Sequence, residues 1–105
     1  PDRGDVVWVS FSPQAGHEQA SHPPAVVLSP AAYNGRVGLA LICPVTSEAK
    51  GYPFEVPLPP EAGVRGVVLA DQVRSLDWRA RRAQPAGRLT PEALDEVLAK
   101  LATIL

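Results

Sequence analysis

The apolar runs of this chain are short, and most do not alternate cleanly with polar residues. Val6, Val7, Trp8, Val9 and Phe11 make residues 5–11 a strand, with apolar side chains toward both faces, as in a strand buried on two sides. Residues 12–22 are polar, contain Gly16 and read as a loop. Pro23-Pro24 forces extended backbone into a second short strand at 25–29. Asn34-Gly35 and Gly38 mark 30–38 as a turn region, because these residues supply the conformations that turns require. A third, buried strand follows at 39–45, and Lys50-Gly51 turns the chain again. Residues 52–58 alternate as a strand whose Pro53 and Pro57 belong at a sheet edge. Beyond a loop at 59–65, segments 66–70 and 72–76 read as two strands or one bent strand, and 78–84 as an extension of the sheet.

The period changes at the C-terminus. Leu94, Val97, Leu98, Leu101, Ile104 and Leu105 recur at helical spacing. Thr90 is placed to cap this helix, with Pro91 at its first position and Glu92 in its first turn. The sum is an α+β fold, mostly β: a small antiparallel barrel or curled sheet of five to seven strands with a C-terminal amphipathic helix packed on it. With 105 residues, no internal repeat and no linker, the whole chain reads as one domain.

Composition sharpens this reading. The 12 prolines and 8 glycines imply many short elements and argue against an all-helical bundle. A single cysteine, Cys43, excludes an internal disulfide and a cysteine zinc site. Its apolar neighbours predict a buried, inert thiol. No membrane-length apolar run and no signal-peptide pattern are present, so a cytoplasmic location is expected. Opening on Pro1 rather than Met implies that a few residues precede it. The net charge of −1 argues mildly against a nucleic-acid binder, which is usually basic. Its distribution does not: residues 65–88 carry six arginines (65, 74, 79, 81, 82 and 88) against Asp71 and Asp77. That segment is either a solvated face or an attractive surface for a polyanion.

Chemistry concentrates in two places. The loop 12–22 holds His17, Glu18 and His22, which include the two histidines of the chain. Their spacing suits a metal poorly, and neither a metal nor any other cofactor is expected. Metal-free acid–base work and a plain polar loop both remain open. Thr46-Ser47 ends the third strand and Lys50 follows. These residues are either phosphate ligands or a turn cap with a solvated lysine. Trp8 and Trp78 are either base-stacking residues or core and interface residues.

Several segments together resemble one family. Gly4-Asp5-Val6-Val7-Trp8-Val9 opens the match, and Gly16-His17-Glu18-Gln19-Ala20-Ser21-His22 leads into Pro24-Ala25-Val26-Val27-Leu28-Ser29-Pro30. Tyr33-Asn34, Thr46, Lys50-Gly51-Tyr52-Pro53-Phe54-Glu55-Val56, Ala70-Asp71-Gln72-Val73 and Trp78-Arg79-Ala80-Arg81 follow in order. End to end, the chain resembles the MazF/PemK family of bacterial toxins. The resemblance implies an SH3-like, CcdB-like barrel that forms a homodimer. It implies metal-independent cutting of single-stranded RNA at short sequences, leaving a 2′,3′-cyclic phosphate and a 5′-hydroxyl and so inhibiting translation. It also implies a MazE-like antitoxin that lays an acidic, extended C-terminal segment over the active-site region. By the same resemblance Thr46 matches the catalytic threonine, and Glu18 belongs to the catalytic set. Lys50, Gln72, His22, Ser47 and Arg81 match or adjoin positions that contact RNA.

One position departs from the pattern. Where the family reads His-Arg-Pro, this chain reads His22-Pro23-Pro24. Pro23 thus stands at the position of the catalytic arginine, and proline offers neither a cation nor a backbone N–H. Losing one positioned donor costs about 100- to 1000-fold in rate, so this chain is expected to be weakly active or inactive. A catalytically dead antitoxin-binding module and a CcdB-like gyrase poison are the alternatives, since fold alone does not fix function.

Overall fold

The computed structural model describes residues 1–10 and 23–105. Phe11 and the 12–22 loop, with His17, Glu18 and His22, lie outside the described residues. Among the described residues, seven antiparallel strands form one curled sheet: β1 (Asp5–Trp8), β2 (Pro24–Val27), β3 (Ala40–Thr46), β4 (Glu55–Pro57), β5 (Val67–Leu69), β6 (Arg74–Leu76) and β7 (Gln84–Arg88). The strand order is β4-β5-β3-β2-β1-β7, with β6 also on β3. Helix α1 (Ala31–Val37) joins β2 to β3, and α2 (Pro91–Ala102) closes the chain. The mostly-β architecture expected from the sequence is therefore present.

Burial on both sheet faces explains the poor alternation. Val6, Val26, Cys43, Val45, Val56 and Val68 form one core with Val97 of α2. Val7, Ala25, Val27, Ala40 and Ile42 point the other way into a second core, against Leu76 and Trp78. Successive residues of β1, β2 and β3 thus enter different cores, as the two-residue period of a strand demands. Helix α2 begins as its sequence indicates: the Thr90 Oγ1 accepts the Ala93 N–H at 3.2 Å, and Pro91 follows the cap. The helix ends at Ala102, so Ile104 and Leu105 lie beyond it and are exposed.

Several expectations need correction. Segment 30–38 is a helix. Its N-terminal Ala31 N–H is capped by the distant Asp2 carboxylate at 2.8 Å. Gly38, read as a turn residue, is the left-handed C-terminal cap of α1, with φ 81°. Segment 78–84 does not extend the sheet up to Ala83. The Asp77 carboxylate accepts the Arg79 and Ala80 N–H groups at 3.1 and 2.9 Å, and Arg82 takes φ 55°. A tight turn results, and β7 starts only at Gln84. The strand expected at 52–58 shrinks to Glu55–Pro57, because the Tyr52 carbonyl accepts the Glu55 N–H and closes a turn. Segments 66–70 and 72–76 are two strands on one side of β3: β5 pairs with Val45 and Thr46, and β6 with Ala40 to Ile42.

Candidate functional site

The C-terminal end of β3 organises the site. β2 pairs with β3 through Ala25↔Pro44, and extending that register by two residues sets position 23 level with Thr46. The Pro23 carbonyl accepts the Val9 N–H at 3.1 Å, which ties it to the end of β1. On the other flank Thr46 pairs with Val67. Gly66, just before Val67, has φ 132°, and a Cβ there would lie 2.4 Å from the Thr46 carbonyl oxygen. No side chain fits between these backbones, so glycine is what allows the 63–66 turn to abut Thr46.

Thr46 borders two grooves. One, of about 500 Å³, is lined by Trp8, Pro23, Thr46, Ser47, Val64 and Arg65. The other, of about 420 Å³, is lined by Thr46, Lys50, Tyr52, Glu55 and Gln72 among others. A smaller depression of about 260 Å³, over Val7, Trp78 and Pro85, contains none of the expected site residues. Thr46 Oγ1 accepts the Glu48 N–H at 3.2 Å. This is the turn-capping role open from the sequence, and it leaves the hydroxyl proton free to donate to a phosphate oxygen.

The second groove has a braced wall. The Glu55 carboxylate accepts the backbone N–H groups of Lys50 and Gly51 at 2.9 and 3.1 Å. The Tyr52 hydroxyl donates to Asp71 at 2.8 Å, and the Lys100 ammonium donates to the Pro53 carbonyl at 2.6 Å. The Asp71 hydrogen bond and negative charge raise the Tyr52 phenol above its usual value. Three anchors therefore hold 50–54, while the Lys50 side chain stays exposed on the groove.

Thr46, Pro23, Ser47, Lys50 and Gln72 are thus brought together. Arg81 is not: its guanidinium donates to the Ser10 carbonyl at 3.2 Å and lines neither groove. Glu18 and His22 lie outside the described residues. The arginine-rich segment is divided among tasks: Arg88 pairs with Asp5, Arg79 stacks on Trp78 with 4.4 Å to the ring centre, and Arg65 enters the Thr46 groove. Sequence gives no role to Glu55, Asp71 or Gly66: the two carboxylates appear there only within longer segments, and no local signal marks Gly66 as the close-approach residue that the fold makes it. Cys43 is fully buried, and burial pushes its thiol up to about 12, with the Asp71 charge adding to the shift. The burial expected from the sequence is borne out, and a thiol held protonated is a poor nucleophile.

A compact antiparallel sheet with a C-terminal helix and a threonine at the junction of two grooves matches one class of protein. The family model for PemK-like, MazF-like toxins of type II toxin–antitoxin systems matches residues 2–105. The chain is 50% identical over 105 residues to the endoribonuclease toxin MazF of Escherichia coli, covering all of this chain and 94% of that one. A crystal structure of MazF from Deinococcus radiodurans superposes with a TM-score of 0.88 at 60% identity, covering 99% of this chain and 94% of that one. The MazF of a MazE–MazF crystal structure from the same organism gives a TM-score of 0.87 at 54% identity, over 99% and 93% of the two chains. The chain belongs to the PemK/MazF-like toxin family of type II toxin–antitoxin systems. Among the described residues, no helix is long and apolar enough to cross a membrane.

Proposed function

We propose that this cytoplasmic toxin domain acts on single-stranded RNA at the Thr46 grooves, as a metal-independent endoribonuclease whose activity is nearly lost at Pro23. The 2′-oxygen attacks the adjacent phosphorus, giving up its proton. The 5′-oxygen leaves and takes a proton, so the products are a 2′,3′-cyclic phosphate and a 5′-hydroxyl. The Thr46 hydroxyl donates to a phosphate oxygen, with Glu18 in the reacting set, and Lys50, Gln72, Ser47 and His22 hold the flanking nucleotides. The observation that carries this reading is the register that sets position 23 level with Thr46 at the groove. A guanidinium at 23 would meet the phosphate held by Thr46. Proline offers that phosphate no donor and no charge.

The partners follow from the same reading: a second copy of the chain, and a MazE-like antitoxin whose acidic, extended C-terminal segment covers the grooves. The D. radiodurans MazE–MazF crystal structure supports an antitoxin partner of this kind. Incubating the Pro23→Arg variant with mixed-sequence single-stranded RNA and EDTA tests the activity. The expected result is cleavage with cyclic-phosphate and 5′-hydroxyl ends, abolished by adding Thr46→Ala. A folded Pro23→Arg dimer that binds antitoxin and leaves RNA intact would instead favour a binding-only module.

A further inference from the structure

Arg65 has no assigned role, and the structure gives it a specific position. It is exposed, and its guanidinium makes no hydrogen bond or ion pair among the described residues. It is the only cationic side chain lining the Thr46–Pro23 groove among those residues. The turn that carries it is built for close approach. Gly63 and Gly66 flank it, both with positive φ, at 83° and 132°. A Cβ at Gly63 would lie 3.2 Å from the Ala86 carbonyl oxygen, and one at Gly66 would lie 2.4 Å from that of Thr46. The Gly66 carbonyl accepts the Leu58 N–H at 2.9 Å, which fixes the end of the turn. Two glycines thus press the turn against β7 and β3, and Arg65 is delivered one residue from the contact with Thr46. Trp8 lines the same groove and is 39% exposed, so the groove joins an aromatic face to a guanidinium.

We propose that Arg65 holds an RNA backbone phosphate in this groove, next to the phosphate at Thr46, and supplies positive charge on the side where Pro23 supplies none. A guanidinium forks onto two phosphate oxygens, and a neighbouring indole stacks on a base. That pairing favours a nucleotide over an acidic peptide, which would use the charge but not the ring. The proposal rests on the RNA-binding reading above and adds a binding residue to it, without a part in bond breaking.

The test is binding of a fluorescein-labelled, mixed-sequence 2′-O-methyl RNA by the full chain, followed by anisotropy across a salt series. Arg65→Gln is expected to weaken binding about three- to tenfold at ~0.1 M salt, across RNA sequences. It should also lower the slope of log affinity against log salt by about 0.7, the value for one phosphate contact on a single strand. Arg65→Lys should restore the slope. Arg36→Gln, which removes one charge from α1 outside both grooves, should leave the slope as it was. The proposal is overturned if Arg65→Gln matches the parent or Arg36→Gln, or if it weakens only poly-glutamate binding. If the parent binds RNA and Lys50→Gln weakens it while Arg65→Gln does not, Arg65 alone is wrong. If the parent does not bind the RNA at all, the RNA reading fails and the Arg65 proposal fails with it.

Discussion

Replacing Gly66 with alanine adds one methyl group where two backbones touch. The new Cβ would lie 2.4 Å from the Thr46 carbonyl oxygen, 3.1 Å from its carbonyl carbon and 3.0 Å from Val45 Cγ1. Cβ atoms essentially never approach within 3.0 Å, so the 63–66 turn and the end of β3 must part by roughly 0.6 Å or more. A φ of 132° adds about 1–3 kcal/mol of strain for any residue with a side chain. Overpacking adds about 1–3 kcal/mol, so the variant should lose roughly 2–6 kcal/mol. At about 4–8 °C per kcal/mol for a domain of this size, the melting temperature should fall by more than ~8 °C. Because the displaced carbonyl belongs to Thr46, activity should suffer even below the melting transition. A shift approaching 1 Å at a reacting group costs about 100-fold.

The assay is a circular-dichroism melt at fixed protein concentration, with single-turnover RNA cleavage in the Pro23→Arg background at a temperature where both proteins are folded. Gly35→Ala is the contrast. Gly35 lies within α1, and a Cβ there meets nothing within 4 Å. That substitution should stabilise by about 0.5–1 kcal/mol and leave cleavage unchanged. If Gly66→Ala melted and cleaved like its parent, the claim that glycine is required beside Thr46 would be wrong.

Other outcomes follow from the same contacts. Asn34→Ala removes a buried amide whose Nδ2 donates to the Pro1 and Ser29 carbonyls at 2.8 and 3.0 Å and whose Oδ1 accepts the Ser29 hydroxyl at 2.5 Å. The Ser29 carbonyl and hydroxyl proton lose their partner, although the hydroxyl oxygen still accepts the Leu41 N–H at 2.9 Å; the loss should cost about 2–5 kcal/mol, and a urea midpoint equal to the parent's would contradict it. Cys43 should resist Ellman's reagent in the native protein at about pH 8 and react fully in denaturant; prompt native labelling would refute its burial. In a Tyr33→Phe background, Tyr52 is the remaining tyrosine, and its phenolate absorbance should appear at lower pH when Asp71→Ala is added. The sign follows from the raised folded pKa: the hydrogen bond stabilises the fold below the free phenol value and is lost as pH rises through the folded one. An unchanged titration would show that Asp71 does not hold the phenol.

What the sequence revealed and what it concealed divide by the range of the interaction. The apolar runs of β1, β2 and β3 and the Thr90 cap of α2 are local, and each was legible within a few positions. Helix α1 was not. Its first N–H is satisfied by Asp2, 29 residues away, and its buried Asn34 is tied to Ser29 and Pro1. The turn signals of Asn34-Gly35 and Gly38 therefore described the helix's interior and end rather than a loop. At the site, Thr46 and Lys50 stand out locally, as hydroxyl and cation at the end of a buried strand, whereas Gln72 is legible only through family resemblance, and register explains why position 23 joins Thr46. Gly66 and Glu55 escaped notice because a glycine is informative only once the opposing backbone is known, and a carboxylate only once its donors are. The arginine-rich segment misled in one respect: its charges look like a single surface along the chain, yet Arg88, Arg79 and Arg81 are each engaged elsewhere.

The central claim is that an intact Thr46 site lacks its cation at position 23. Side-by-side single-turnover cleavage of one RNA by the parent and by Pro23→Arg, at equal melting temperature and equal dimer content, measures this deficit directly. The expected ratio is about 100 to 1000 in favour of arginine, the worth of one positioned donor. Equal rates would contradict the claim, whether both proteins cleave efficiently or neither does.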